Sequence, residues 1–351
     1  MSSTPNHGPS AACLAIVSAL AVASCSTEAG PPITPTPTPA ESAASRSASP
    51  SAVPNSIEDR AEAVIADVAG EPDWPLEGFG SLWLLAADSE EPALLRLDPE
   101  TNEIVATIPI PGRSCQGFTV TDDAVWACVD DGAARVDPET NEIAGEVAFE
   151  TGMVWSRLAF GGGSVWAIGA DGGAPNVLVR IDPEAMTATR IPLGHGAATL
   201  AYGFDAVWIT APQDGLILRV DPATSEVAEH ASGLARPQTI VVGQDSLWVT
   251  LFGAEEVAPD EPTVVRVDPT DGSVLAEIAT GAASENLGGL WAVDDAVWVR
   301  APGAFLTRID PGTNEVVETI AGPSSTGDVT VAFGSVWATA SSENAIYRLA
   351  R

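Results

Sequence analysis

A short phrase that ends in tryptophan recurs seven times in this sequence, and it constrains the fold more than any other feature. Each copy reads as a small residue or Gly, then Ser or Ala, then Val or Leu, then Trp, as in FGSLW and GGSVW. The repeated tryptophans are Trp83, Trp126, Trp166, Trp208, Trp248, Trp298 and Trp337. Consecutive copies lie 39 to 50 residues apart, and an arginine follows each tryptophan by 9 to 18 residues. A period of this length indicates stacked supersecondary units that bury their faces against one another.

Each repeat contains four short segments that alternate apolar and polar residues and are separated by Gly, Asp and Pro. In the fourth repeat these segments are TLAYG, AVWIT, LILRVDP and SEVAEHA, here named strands A to D. Their β-branched and aromatic residues favour strands. Four strands within a period of about 40 residues are typical of a propeller blade. The sequence therefore predicts an all-β, seven-bladed β-propeller of four-stranded antiparallel blades over residues 61–351.

The last repeat leaves no residues for its strand D. An unassigned apolar stretch, EAVIADVAG at residues 62–70, precedes the first repeat. We expect this stretch to pair beside residues 345–349, so that an N-terminal strand completes the last blade and closes the ring. Closure would cover two sheet edges that otherwise invite pairing with other chains. The alternative is that residues 62–68 form a helix.

The phrase Arg-x-Asp-Pro, present in the first six repeats, predicts a tight turn between strands C and D. Pro sets the bend, Asp accepts backbone N–H groups, and Asn or Gly takes the left-handed position. We expect the tryptophans to pack between blades and the arginines to form charge-assisted bonds within or between blades. In antiparallel blades the A–B and C–D turns share one face of the ring, here named the hairpin face. The D–A and B–C loops share the other face, here named the loop face.

The sequence stops repeating in the loops of the loop face, and we expect the functional site there. The residues that interrupt the pattern are Arg113, Trp155, Arg157, His195, Arg236 and Arg300. In so acidic a chain, these cationic side chains predict a site for a small anionic ligand at the mouth of the central channel. The alternative is that each arginine pairs with a nearby carboxylate.

The longest B–C loop carries GAEEVAPDEP, residues 253–262. Its four carboxylates are hard oxygen ligands of the kind that calcium prefers, but their spacing fits no regular calcium loop. A solvated insertion is the alternative. The sequence therefore leaves the cofactor unknown, with a divalent cation as one option, and it assigns no metal ligands.

The first 60 residues differ in composition from the repeats. Residues 11–23 form an apolar run that is too short to span a bilayer and is typical of a signal-peptide core. The segment VASC resembles the bacterial lipobox, which implies a lipoprotein signal peptide over residues 1–24 and a lipid on Cys25. Residues 25–60 are rich in Pro, Thr, Ser and Ala and predict an extended tether. The expected product is an exported domain, lipid-anchored to the outer side of the cell membrane.

The cysteines agree with export. Cys13 lies in the signal segment, which leaves Cys115 and Cys128 as a pair in the exported domain. Exported domains favour disulfides. The two residues fall on adjacent strands A and B, so a bridge between them is geometrically reasonable. A reduced pair is the alternative.

The net charge limits the partners. The chain has 48 acidic and 15 basic side chains, for a net charge of −33 at pH 7. Such a surface repels nucleic acid and anionic lipid headgroups. We therefore expect no nucleic-acid binding and contact with the membrane through the lipid anchor alone. The predicted partner is a small anionic ligand or an envelope protein, and the predicted state is a monomer.

The VW phrase of strand B and the phrase RIDPxTNEV across strands C and D resemble the repeats of virginiamycin-B-lyase-like and YVTN-repeat propellers, over roughly residues 62–351. The lyase resemblance implies a histidine base with a metal ion near the channel mouth. His195 lies in the corresponding region, but no second histidine accompanies it and no Glu-x-His motif is present. We therefore expect a binding module rather than an enzyme. The alternatives are a lyase or hydrolase that acts on a small anionic or cyclic substrate, with His195 as its catalytic residue, and a purely structural domain of the envelope.

Overall fold

A computed structural model describes most of the predicted propeller. The described residues are 55–86, 91–112, 117–151, 157–252, 263–280, 289–293, 295–301 and 304–351. The predicted signal peptide, the lipidation site Cys25 and the tether up to residue 54 lie outside the described residues. Within the described ranges, no helix is long and apolar enough to cross a membrane.

Seven four-stranded antiparallel sheets form a ring, so the predicted seven-bladed β-propeller is confirmed. Strand A of each blade is innermost and contacts strand A of both neighbouring blades. Strands A to D are Pro72–Gly78, Ser81–Ala86, Ala93–Asp98 and Glu103–Pro109 in blade 1; Phe118–Val120, Val125–Val129, Gly132–Asp137 and Glu142–Ala148 in blade 2; and Ala159–Gly161, Ser164–Asp171, Ala174–Asp182 and Thr187–Pro192 in blade 3.

The remaining blades follow the same order around the ring. Strands A to D are Leu200–Gly203, Ala206–Ala211, Leu216–Val220 and Val227–Ala231 in blade 4; Pro237–Gly243, Ser246–Leu251, Val264–Val267 and Val274–Ile278 in blade 5; and Leu290–Val293, Ala296–Ala301, Phe305–Asp310 and Glu315–Ala321 in blade 6. Strands A to C of blade 7 are Val329–Ala332, Ser335–Ala340 and Ala345–Ala350, with a 3-10 turn at Ser341–Glu343 between its strands B and C.

The ring closes through an N-terminal strand, as predicted. This strand, β2 (Ala61–Ile65), runs antiparallel to strand C of blade 7, with Ala61 opposite Leu349 and Ile65 opposite Ile346. Its side chains alternate between part-buried and exposed, which suits the outermost strand of a blade. The strand is shorter than the predicted stretch 62–70, and the helical alternative is wrong.

The residues just before β2 also pack on the ring. Strand β1 (Asn55–Ser56) pairs in parallel with strand D of blade 6, and helix α1 (Ile57–Arg60) follows it. The side chain of Ile57 is fully buried, and the arginine that ends α1 pairs with Glu318 of blade 6. We name residues Asn55–Ile65 the N-terminal strap, because they join blade 6 to blade 7. The packed domain therefore includes residues 55–60, which were predicted as part of the tether.

The seven repeated tryptophans lie in the core, as predicted. Six are fully buried, and Trp298 is 3% exposed. In five blades the indole N–H donates to the backbone carbonyl that ends strand A, over 2.9–3.2 Å. In six blades the guanidinium of the repeated arginine lies over the indole ring, at 5.0–6.0 Å. Each buried ring contributes on the order of 2 kcal/mol through apolar burial.

The Asp-Pro turns have the predicted geometry. In blade 1, Asp98 Oδ1 accepts hydrogen bonds from the backbone N–H groups of Glu100 and Thr101. Asn102 adopts a left-handed φ of 58°. The same carboxylate pattern recurs at Asp137, Asp182, Asp221 and Asp310. The Asp carboxylate of the Arg-x-Asp-Pro phrase therefore accepts hydrogen bonds within its own turn.

Four of the repeated arginines join neighbouring blades on the hairpin face. Arg96 of blade 1 donates to Ser81 Oγ at 2.8 Å, to the carbonyl of Pro138 at 2.6 Å and to Asn141 Oδ1 at 3.1 Å. Pro138 and Asn141 belong to the C–D turn of blade 2, so we name this arrangement the inter-blade clasp. Equivalent clasps run from Arg180 to Pro222, from Arg266 to Pro311 and from Arg348 to Pro99.

One position decides whether a clasp forms. The four clasp blades have Ser two residues before their tryptophan, and the Ser hydroxyl accepts from the arginine Nε at 2.7–3.0 Å. Blades 2, 4 and 6 have Ala there, at Ala124, Ala206 and Ala296. Two of their arginines face a carboxylate of their own blade, Arg135 with Asp123 at 2.8 Å and Arg308 with Asp295 at 3.6 Å. The predicted bonds within and between blades both occur, each with its own sequence marker.

Candidate functional site

The mouth of the channel on the loop face is surrounded by one equivalent residue from each blade, nine positions before its tryptophan. We name these residues the mouth ring: Trp74, Gly117, Arg157, Thr199, Thr239, Gly289 and Asp328. Two of them carry charges of opposite sign, Arg157 in blade 3 and Asp328 in blade 7. Because blades 3 and 7 are not neighbours, a contact between these side chains crosses the mouth.

That contact is present as a salt bridge. Arg157 Nη2 pairs with Asp328 Oδ2, and the guanidinium lies 5.1 Å from the ring centre of Trp291 in blade 6. The two side chains are 17% and 5% exposed, respectively. A pair this sheltered from water interacts more strongly than one on the open surface. The salt bridge therefore ties opposite sides of the ring together at the mouth.

A second carboxyl group, Asp73 at the start of blade 1, lies beside this bridge. Asp73 Oδ1 accepts from the backbone N–H of Trp74 and from Thr339 Oγ1, both at 2.9 Å. The hydroxyl of Thr339 also accepts from the backbone N–H of Asp328 at 2.8 Å. Thr339 thus holds both carboxyl-bearing segments together at the junction of blades 7 and 1, where the ring closes.

The surroundings of Asp73 change its acidity. Burial among protein atoms is the main cause that raises the pKa of Asp73 from 3.8 to about 6, and the carboxylate of Asp328 raises it further. Hydrogen bonds from Trp74 and Thr339 and the charge of Arg300 act in the opposite direction. The residue as a whole is partly buried. Groups whose charge changes near neutral pH are typical of binding and proton-transfer sites.

We expect Asp73→Asn to change how stability depends on pH. Because the pKa of Asp73 is raised in the folded state, its carboxyl stabilises the fold while protonated, and this contribution is lost as the pH rises through about 6. The wild type should lose about 1 kcal/mol from this group between pH 5 and pH 7.5, whereas the amide, which accepts the same two hydrogen bonds, should lose none. Denaturant unfolding of both chains at the two pH values measures the difference.

The control for this experiment is Asp123→Asn. The hydrogen bond from Arg135 lowers the pKa of Asp123, so its contribution is present at neutral pH and is lost as the pH falls. Because that loss falls below the unfolded pKa of 3.8, Asp123→Asn should keep the wild-type difference in stability between pH 5 and pH 7.5, whereas Asp73→Asn should remove it. Equal pH profiles for the wild type and Asp73→Asn would contradict the raised pKa.

Arg300, predicted to bind the ligand, is instead a buried structural residue. It lies in strand B of blade 6 and is 1% exposed. Its nitrogens donate to the carbonyls of Thr339 at 3.0 Å, Phe305 at 3.1 Å and Ser325 at 2.7 Å. Burial lowers the pKa of Arg300 to about 10, although Asp73 and Asp328 oppose this effect. Arg300 thus braces the residues beneath the mouth, and the loop position predicted for it is corrected.

The other described candidates lie apart from the salt bridge. His195 Nδ1 is 2.9 Å from Asp214 Oδ2, and its Nε2 is 3.8 Å from Glu229 on the outermost strand of blade 4. His195 therefore lies toward the rim of the ring. Arg236 is exposed, and its guanidinium stacks 4.5 Å from the ring centre of Phe252.

Several predicted residues lie outside the described ranges, namely Arg113, Cys115, Trp155 and the acidic loop 253–262. Cys128 is described and is buried in strand B of blade 2. The disulfide between Cys115 and Cys128 stays a prediction, as do the roles of Arg113 and Trp155. Over the part of the chain that the structure covers, no group of three or more His, Cys, Asp or Glu side chains is placed to hold a metal ion.

The sequence pattern singles out Arg157 but not the carboxyl groups near it. Asp73 and Asp328 are two among 48 acidic residues and belong to no motif. A signal was nevertheless present for Asp328, which stands nine positions before its tryptophan, as Arg157 does. Aligning the seven repeats column by column would have shown the two opposite charges at one position of the ring.

The fold and the mouth together define this protein as a seven-bladed β-propeller with a charged axial mouth. No protein-family model matches the chain, and no curated protein sequence matches it. Solved structures do resemble it. A chain of hydrazine synthase from Kuenenia stuttgartiensis aligns with a TM-score of 0.64 at 13% identity, over 82% of this chain and 97% of that one.

Two further structures align over similar lengths. The β-propeller domain of Cps50 (Swd1) from Myceliophteria thermophila gives a TM-score of 0.64 at 14% identity, over 83% of this chain and 99% of that one. The computationally designed protein Ika8 gives 0.59 at 12% identity, over 83% and 98%. At these identities the likeness concerns the fold alone, and a propeller fold serves many functions.

Proposed function

We propose that this protein is a binding module, a β-propeller held outside the cell membrane by a lipid on Cys25. It binds a small charged ligand or an envelope protein at the mouth ring. The observation that carries the proposal is the salt bridge between Arg157 and Asp328, which crosses the mouth between blades that are not neighbours. The charged residues of the repeat hold the ring together on the hairpin face. Charged groups that break the repeat and share one mouth are candidates for binding.

The buried carboxyl of Asp73 supports the same proposal. With a pKa near 6, it lowers the stability of the fold at neutral pH, and an amide of the same shape would remove this cost. Substitutions that only increase stability are easy to find. A residue that lowers stability at neutral pH is therefore expected mainly at a functional site.

A thermal-shift screen of charged metabolite-like compounds tests the binding site. At about 100 times its Kd, a compound that binds the folded state adds about 3 kcal/mol of stability, and the melting temperature should rise by several degrees. Arg157→Met leaves Asp328 unpaired, so we expect it to abolish the shift given by an anion and to enlarge the shift given by a cation. The matched control is Arg135→Met, which removes an arginine from the hairpin face and should leave the shift unchanged. Equal shifts in the wild type and Arg157→Met would place the binding site elsewhere.

The anionic ligand predicted from the sequence remains one form of this proposal. It would use Arg236, which is exposed and pairs with no carboxylate in the described part of the chain, together with Arg113. The charges of the compounds found by the screen show whether the ligand is anionic. If it is, replacing Arg236 should weaken its binding.

The lipid anchor is tested by labelling cells with a palmitate analogue. We expect label on the wild-type protein and recovery of the protein with membranes. Cys25→Ala should lose both, whereas Cys13→Ala, the control within the predicted signal peptide, should keep both. Label that remains on Cys25→Ala would contradict the proposed anchor.

The alternative function is a lyase or hydrolase that resembles virginiamycin B lyase. The observation that favours it is the contact between His195 Nδ1 and Asp214, because a carboxylate at Nδ1 orients a histidine for proton transfer at Nε2. Mass spectrometry of the screen's hits after incubation separates the two functions. An enzyme consumes its substrate and loses this activity in His195→Ala, whereas a binding module returns each hit unchanged.

A further inference from the structure

The charge class of the ligand follows from which charged groups at the mouth are already occupied. Arg157 is paired with Asp328, and Arg300 is buried and bonded to three carbonyls. Arg236 lies apart from this salt bridge, where it stacks on Phe252. An anion that approached Arg157 would therefore compete with the carboxylate of Asp328 for the guanidinium, and loss of this pairing is costly for a carboxylate that is 5% exposed.

The two carboxyl groups at the mouth differ in how completely their oxygens are used. Asp328 Oδ1 accepts from the backbone N–H of Val329 at 2.7 Å, and its Oδ2 pairs with Arg157. The bonds to Asp73 from described residues all go to Oδ1, so its Oδ2 accepts none from that part of the chain. Asp73 is therefore the carboxyl group at the mouth with an acceptor oxygen to offer.

The electrostatics around Asp73 favour a cation. Burial and the Asp328 carboxylate raise its pKa to about 6, and the charge of Arg300 does not offset them. A cation placed against Oδ2 would stabilise the ionised form of Asp73 and offset the effects of burial and of Asp328. The net charge of −33 acts in the same direction, because it draws cations toward the molecule and repels anions.

We propose that the mouth ring binds an organic cation that donates N–H groups, a primary ammonium or a guanidinium, with Asp73 Oδ2 as the acceptor. This inference rests on the proposed function and gives the charge class of its ligand. Trp74, next to Asp73, adopts a left-handed φ of 48° where the pairing of strand A with strand B shifts register between Asp73 and Leu76. The cation is either free or part of a peptide, since both present the same N–H groups.

Ligand-observed NMR titration of the full chain with n-butylammonium and methylguanidinium tests the proposal. Both should bind at pH 7.5, and Asp73→Asn should weaken them at least about tenfold. At pH 5 the wild type should bind about tenfold more weakly than at pH 7.5, because one unit below a pKa of about 6 only a tenth of Asp73 is ionised. Asp328 and Arg300 are the charged groups that face Asp73, and neither is altered by the substitution.

Matched controls separate this site from general attraction to an acidic protein. Glu77→Gln removes one exposed carboxylate from the same strand and should change the affinity less than about twofold. Tetramethylammonium carries the charge without an N–H donor and should bind at least about tenfold more weakly than n-butylammonium. Acetyl-Gly-Arg-Gly-amide distinguishes the source of the cation. If the natural ligand is part of a peptide, this peptide should bind more tightly than methylguanidinium. If the natural ligand is a free cation, the peptide should bind more weakly.

The outcomes distinguish this proposal from the proposed function. Equal binding of n-butylammonium to the wild type and Asp73→Asn would overturn the cation site. Binding of propionate without binding of either cation would also overturn it, while leaving a binding module that accepts anions. Failure of every probe and every screened compound to bind would contradict both proposals.

Discussion

A chain that lacks residues 55–66 is expected to melt at least about 10 °C below the full chain. The deletion removes the buried side chain of Ile57, worth about 2 kcal/mol, and the backbone bonds between β2 and blade 7, worth about 1 kcal/mol each. It also exposes the edge of strand C in blade 7 and opens the ring. Differential scanning calorimetry of the two chains measures the loss.

Two controls assign this loss to the strap. Deletion of residues 1–54 alone should leave the melting temperature within about 2 °C of the full chain, since the strap stays in place. Within the strap, Ile57→Ala should cost about 2–4 kcal/mol, whereas Val64→Ala, at a side chain that is 50% exposed, should cost less than about 1 kcal/mol. Equal melting of the full chain and the chain lacking residues 55–66 would show that closure does not hold the ring.

Replacing a repeated arginine that forms an inter-blade clasp should lower the free energy of unfolding more than replacing the equivalent arginine of a blade without a clasp. Arg96→Met keeps the apolar stem on Trp83 but removes the bonds to Ser81, Pro138 and Asn141, and we expect a loss of about 3 kcal/mol. Arg219 occupies the same position in blade 4, which has Ala in place of Ser. Among the described residues it contacts the ring of Trp208 without a hydrogen bond, so Arg219→Met should cost less than about 1 kcal/mol.

A double-mutant cycle locates the energy of the clasp. Asn141→Ala and Arg96→Met, measured singly and together by urea unfolding, should show a coupling of about 1 kcal/mol, because Asn141 Oδ1 accepts from Arg96 across the blade boundary. Equal losses in Arg96→Met and Arg219→Met, or additive effects in the cycle, would refute an inter-blade role for the clasp.

The architecture was predictable from the sequence because its determinants are local and repeated seven times. The Trp phrase marks strand B, Arg-x-Asp-Pro marks the turn from strand C to strand D, and the missing fourth strand of the last repeat predicts closure by an N-terminal strand. The strap was not predicted in full. The sequence of residues 55–60 resembles the tether, and only the buried position of Ile57 in the folded ring distinguishes it.

The candidate site was less predictable because it depends on contacts between distant parts of the chain. Asp73 and Thr339 stand at opposite ends of the sequence, and ring closure places them 2.9 Å apart. Arg157 was recognised as irregular, but its partner was hidden among many other carboxylates. Arg300 was placed in a loop because it follows the Trp phrase, whereas strand B extends through it and buries it.

The alternation of Ser and Ala has a mechanical consequence for the whole ring. Clasps fasten blade 7 to blade 1, blade 1 to blade 2, blade 3 to blade 4 and blade 5 to blade 6. The ring thus contains three clasped bodies, blades 7-1-2, blades 3-4 and blades 5-6, separated by three seams that lack a clasp. Other bonds cross these seams, as where Arg300 of blade 6 donates to the carbonyl of Thr339 in blade 7. The strap covers one seam, between blades 6 and 7. At a second, between blades 4 and 5, His230 Nε2 bonds to the carbonyl of Asp268 at 3.0 Å.

The salt bridge at the mouth links two of these bodies, since Arg157 belongs to blades 3-4 and Asp328 to blades 7-1-2. A ligand that alters this bridge would therefore act on two clasped bodies at once, and we expect its effect on the backbone to be largest at the seams. Hydrogen exchange that is no faster at the seams than at the clasped boundaries would contradict this division.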